Sequence, residues 1–66
     1  MNINRLKGKI IEKGYSVERL ADEINIARAT MYRKLNNFEK ITVGEAKRIS
    51  AVLGLTGEEA TEIFLT

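Results

Sequence analysis

The sequence predicts an all-α fold of five short helices, and three observations carry that expectation. Apolar residues recur at helical spacing along the whole chain, and no segment alternates as a strand would. Two Thr-x-x-Glu boxes, Thr42 with Glu45 and Thr56 with Glu59, announce helix starts. Gly14, Asn25 and Gly54 stand where the periodic patterns stop, and these residue types accept or tolerate the left-handed conformation that ends helices.

Ile3, Leu6 and Ile10 share one face of a first helix over about 2–13, which Gly14 stops. Ser16 then offers its hydroxyl as an N-cap, and Tyr15 and Leu20 have the spacing of a hydrophobic staple. Val17, Leu20, Ala21 and Ile24 line one side of a second helix over about 17–24, and Asn25 closes it. A third helix covers about 27–36 and ends at Asn36-Asn37; its start at Ala27 is poorly capped. The Thr42 box, with Ile41 and Ala46 as staple, opens a fourth helix over about 43–53. Val43, Ala46, Ile49, Val52 and Leu53 are its expected buried face. The Thr56 box, with Leu55 and Ala60 as staple, opens a fifth over about 57–64 that buries Ala60, Ile63 and Phe64. Only "INIA" separates the second and third helices, so they must cross steeply, as in a helix-turn-helix.

The chain has 66 residues, which suits one small domain over 1–66. It has no Cys and no His, so disulfides and Cys/His metal sites are excluded. The hydrophobic fraction of 44% is too high for disorder. No apolar run approaches the roughly 18 residues of a membrane span, and the start of the chain has no secretory h-region. A soluble, cytoplasmic protein is expected, without cofactor, metal or small-molecule ligand. Catalysis is not expected either. No Gly-rich phosphate loop is present, Ser16 and Ser50 have no base partner, and the adjacent Asp22 and Glu23 point to different faces.

Net charge is only +2, but it is unevenly placed. Residues 1–14 and 26–41 each carry +3, residues 15–25 carry −2, and residues 55–66 carry −3. Two basic segments and an acidic end suggest a side that faces a polyanion; a solvated mixed surface explains composition alone as well. The basic residues of the first helix spread around it, so at most one or two can face phosphate and the rest are solvated.

The stretch "NIARATMYRKLNN" is more specific. With Arg28 at the origin and about 100° per residue, Ala27, Met31 and Leu35 fall on one inward stripe. Ala29, Tyr32, Arg33 and Asn36 fall on the outward stripe, with Arg28 at its edge. No Asp or Glu occurs from Ile24 to Phe38. Arg can donate twice to guanine and Asn can pair with adenine in a major groove, whereas an acid would repel phosphate. Tyr32 can donate to a phosphate or pack on a thymine methyl, and Ala29 permits close approach.

"SVERLADEINIARATMYRKLNN", with the first helix ending at Gly14 and "TVGEAKRISAVLGLT" after it, resembles the lambda-repressor-like, Cro-type helix-turn-helix family of DNA-binding domains. The motif lies at about 17–36, and the resemblance covers nearly the whole chain. Ala21 matches the family's small residue in the first motif helix, and Met31 its apolar residue in the recognition helix. The departures are Asn25 for the turn Gly, Ala27 for a Ser or Thr cap, Asn37 for a Gly, and Lys34 at a position where the family has an apolar residue.

The resemblance implies a sequence-specific transcription regulator, repressor- or Cro-like, of bacterial or phage origin and associated with the nucleoid. It would bind a palindromic double-stranded operator as a homodimer. By position, Arg28, Ala29, Tyr32 and Arg33 would face bases. Val17 (through its N–H), Thr30, Asn36, Asn37 and Lys40 would lie along the DNA backbone, while Glu18 is unfavourable there. Thr30 has a local capping role open to it as well. Phe64 and Leu65 would contribute to a dimer interface, Ile63 and Phe64 also being able to complete the core. Phe38 has three readings: a plug under its loop, a dimer contact, or a contact on the phosphate side. The alternative function on the same fold is a protein-interaction module, antirepressor- or antitoxin-like, without specific DNA binding.

Overall fold

The computed structural model describes residues 1–36 and 40–65. Five α-helices form among them: α1 (Ile3–Glu12), α2 (Val17–Glu23), α3 (Arg28–Leu35), α4 (Val43–Leu53) and α5 (Gly57–Phe64). The expected all-α architecture is found, each helix within two residues of its expected bounds. None of these helices is long and apolar enough to cross a membrane.

The helix ends follow from local chemistry. Ser16 Oγ accepts the Arg19 amide at 3.1 Å, and Asn2 Oδ1 accepts that of Arg5 at 3.0 Å. Both Thr-x-x-Glu boxes close reciprocally, with Thr42 and Glu45 bonded in both directions and Thr56 and Glu59 likewise. Gly14, Asn25 and Gly54 have φ of 79°, 61° and 64°. Each sits in a Schellman motif, whose two reversed hydrogen bonds satisfy the last carbonyls of the helix. After α2 these bonds are Ile26 N–H to Ala21 O at 2.9 Å and Asn25 N–H to Asp22 O at 3.3 Å. The motif turns the chain within four residues, and α3 packs across α2.

The core is one cluster: Leu6 and Ile10 of α1, Leu20, Ala21 and Ile24 from α2 and its cap, Met31 and Leu35 of α3, Ile41, Ile49 and Leu53 around α4, and Ile63 of α5. α1 and α5 are joined by more than apolar contact. The Asn2 N–H donates to Ile63 O at 2.7 Å, Arg5 pairs with Glu62 at 2.5 Å, and Lys9 pairs with Glu59 at 2.6 Å. Arg5 and Lys9, expected among solvated or phosphate-facing bases, are instead committed to the acidic fifth helix.

Two residues expected to be buried are exposed, both at helix starts. Ala27 is exposed and caps α3 from outside, with φ −57° and ψ 138°, so the helical wheel that placed it inward does not extend to it. Val43 is 75% exposed. It is the first residue of α4, ahead of the turn that meets the core. Ala60 and Phe64 are half-buried rather than fully enclosed.

Lys34 takes the place that Ala27 leaves on the inward arc of α3. It is 7% exposed. Its ammonium donates to Lys40 O at 3.1 Å and pairs with Glu45 Oε1, also at 3.1 Å. Burial pushes the Glu45 carboxyl up, but the Thr42 amide and the Lys34 ammonium outweigh it and hold the group below its ordinary range. An apolar position of the family pattern thus carries an ion pair linking α3 to the N-cap of α4.

Candidate nucleic-acid interface

α2, the Asn25 turn and α3 build the outward face. Met31, Lys34 and Leu35 hold α3 inward, which leaves Arg28, Ala29, Tyr32, Arg33 and Asn36 exposed. Ala27 makes no side-chain cap bond, as its residue type implies. The first amides of α3 therefore lack the acceptor that a Ser, Thr, Asp or Asn would supply.

The residues of this face are not independent. Arg28 Nε donates to Asp22 Oδ1 at 3.1 Å, and its Nη2 donates to Oδ2 at 2.6 Å. The Tyr32 hydroxyl donates to Glu18 Oε2. With its proton committed there, the phenol offers acceptor lone pairs and its ring, which suits the thymine-methyl alternative read from the sequence better than donation to a phosphate. The Arg28 guanidinium holds the Asp22 carboxyl below its ordinary range. The Tyr32 hydroxyl does the same for Glu18, and Glu18 in turn raises the phenol. Arg33 Nη2 donates to Thr30 Oγ1 at 3.0 Å, which gives Thr30 a local role.

The flanks are arranged around this centre. Val17 packs its side chain against the core. It is the first residue of α2, where a backbone N–H has no intrahelical acceptor. Asn36 is the exposed C-cap of α3, and its N–H donates to Tyr32 O at 3.0 Å. Lys40 is exposed and lends its carbonyl to Lys34. The Arg19 guanidinium lies 4.6 Å from the centre of the Tyr15 ring. Asn37 and Phe38 lie outside the described residues. On another side of the molecule, Phe64 is half-buried against the core and Leu65 is 78% exposed. Both border an apolar groove with Met1, Val43 and Ala46.

Sequence reasoning missed Asp22 and Glu18 as partners of α3. Asp22 and Arg28 are six residues apart and Glu18 and Tyr32 fourteen, spacings that no single helix brings together. The usable signal was the tight turn: a steep crossing lays the outer face of α2 beside the start of α3.

No curated protein and no solved structure matches the chain significantly. A family model does, described as the Cro/C1-type HTH DNA-binding domain, and it matches residues 5–63. That span holds all five helices but for the first two residues of α1 and the last of α5. The chain therefore belongs to the Cro/C1-type helix-turn-helix family of DNA-binding domains.

Proposed function

We propose that this chain is the DNA-reading domain of a transcription regulator, repressor- or Cro-like, that reads double-stranded DNA by inserting α3 into the major groove. One observation carries the reading: the exposed side of α3 presents Arg28, Ala29, Tyr32, Arg33 and Asn36, and the helix holds no acid. Arg28, Ala29, Tyr32 and Arg33 face base edges. The Val17 N–H, Thr30, Asn36, Asn37 and Lys40 track phosphates. Two copies join through Phe64 and Leu65 on a palindromic operator, with half-sites about 34–36 Å apart. Such a protein works in the cytoplasm, on the nucleoid, and needs no cofactor.

Selection of bound duplexes from a random pool, followed by titration at low and moderate salt, tests this. The selected duplex should bind about a thousandfold or more tighter than random duplex, and both should weaken as salt rises. Undetectable binding at low salt overturns the reading. Arg33→Ala should lose about 1–3 kcal/mol at one base position. Leu65→Glu should lower self-association by analytical ultracentrifugation and leave folding intact, because Leu65 is exposed. A second reading, an antirepressor- or antitoxin-like interaction module, draws on the Asp22 and Glu18 carboxylates beside α3, which offset its positive charge.

A further inference from the structure

We propose that Asp22 is a specificity-determining, positioning residue: it holds Arg28 side-on so that the outer edge of the guanidinium is presented to a guanine. The inference rests on the DNA-reading function proposed above. An arginine guanidinium has N–H donors on three nitrogens and can pair through either of two edges. In Arg28 the edge made by Nε and Nη2 is filled by Asp22, at 3.1 and 2.6 Å. The edge made by Nη1 and Nη2 keeps two parallel N–H groups, the pattern that matches guanine O6 and N7.

Asp22 thus fixes a long side chain that would otherwise be ordered only on binding. Pre-ordering of this kind favours the one base able to accept both bonds. The aspartate lone pairs not used by Arg28 can accept from a cytosine N4 amine, so the pair as a unit matches a guanine and a neighbouring cytosine. Asp22 also offsets the Arg28 charge, so the contribution of Arg28 is directional rather than simply electrostatic. The pair is unsuited to a mainly structural role. The side chains of Arg28 and Asp22 are 59% and 53% exposed, and an ion pair so open to solvent adds little to folding.

The test compares wild type, Asp22→Ala, Arg28→Ala and the double variant. The duplexes are the one that wild type selects from a random pool, its single base-pair replacements, and random-sequence DNA. Asp22→Ala removes a carboxylate from the DNA side. It should bind random duplex more tightly, with a salt dependence steeper by about one phosphate contact. It should at the same time lose about tenfold or more of the preference at one G·C pair, the pair at which Arg28→Ala also loses preference. The double variant should lose no more preference there than Arg28→Ala alone. Thermal unfolding should show Asp22→Ala folded in every titration.

If Asp22→Ala tightens all duplexes equally and leaves the preference intact, Asp22 only masks charge and the proposal is overturned. If its preference is lost at a position that Arg28→Ala leaves unchanged, the positioning role is overturned too. If wild type itself selects no sequence, the DNA-reading function fails, and this inference falls with it.

Discussion

Ala27 and Lys34 are the two positions where α3 departs from what a recognition helix of this pattern would hold, and they act in opposite senses. Ala27 has the extended backbone of an N-cap but no side-chain acceptor. Ala27→Ser should therefore stabilise the free domain by about 0.5–2 kcal/mol. For a domain of this size each kcal/mol corresponds to about 4–8 °C, so calorimetry resolves the change. An unchanged melting temperature would show that the helix starts elsewhere. Lys34 is buried with its ammonium on Glu45, whose carboxylate also closes the α4 capping box. Glu45→Ala removes one half of the capping box and the carboxylate that meets the buried Lys34 ammonium, and should cost about 2–4 kcal/mol in urea unfolding. Adding Lys34→Leu to it should recover part of that loss, because an apolar side chain suits the site. Failure to recover would mean that Lys34 draws its stability from the Lys40 carbonyl rather than from Glu45.

At the scale of elements, the sequence was most legible where local chemistry decides. Both Thr-x-x-Glu boxes and the three left-handed stops could be read residue by residue, and each forms as expected. Reading failed where a rule was carried past its range. A helical wheel describes residues with helical dihedrals, so Ala27, one residue outside α3, was misplaced; Val43, at the first position of α4, precedes the face that meets the core. The buried lysine was missed for another reason. Its position lies on the inward arc, but residue type argued against burial, and its partner Glu45 comes from the next helix. The α2–α3 pairs were equally invisible, since they need the crossing that the turn creates. That turn depends on Asn25, at φ 61°. Asn25→Gly should be neutral to stabilising, whereas Asn25→Ala should cost about 1–2 kcal/mol. Equal melting temperatures for the two variants would show that the left-handed backbone there is not strained.

For the whole molecule, the question is how so small a chain holds its first and last helices together. A domain of about 60 residues buries only about 60% of its unfolded surface, so closure by polar contacts matters more than in larger proteins. Here the basic first helix and the acidic fifth meet through Arg5 with Glu62 and Lys9 with Glu59. The uneven charge along the chain is thus partly a pairing code within the fold, not only a field for a polyanion. Lys9, followed by the Thr56 amide, pulls the Glu59 carboxyl down to about 2 from an ordinary 4.5. A carboxyl with a depressed folded-state value binds its proton more readily when unfolded. Its contribution is therefore fully present above about 4.5 and is lost as pH falls through about 2. Glu45, sheltered beside Lys34, is shifted in the same direction and adds to the acid loss. Glu59→Gln keeps an oxygen able to serve the α5 capping box but removes the charge that Lys9 meets. Melting temperature against pH should fall less steeply between about 4.5 and 2 for this variant than for wild type, with the two curves converging at the acid end. Parallel curves over that interval would show that the Lys9–Glu59 pair does not contribute to stability, leaving closure to Ile63, the Asn2 backbone bond and the Arg5–Glu62 pair.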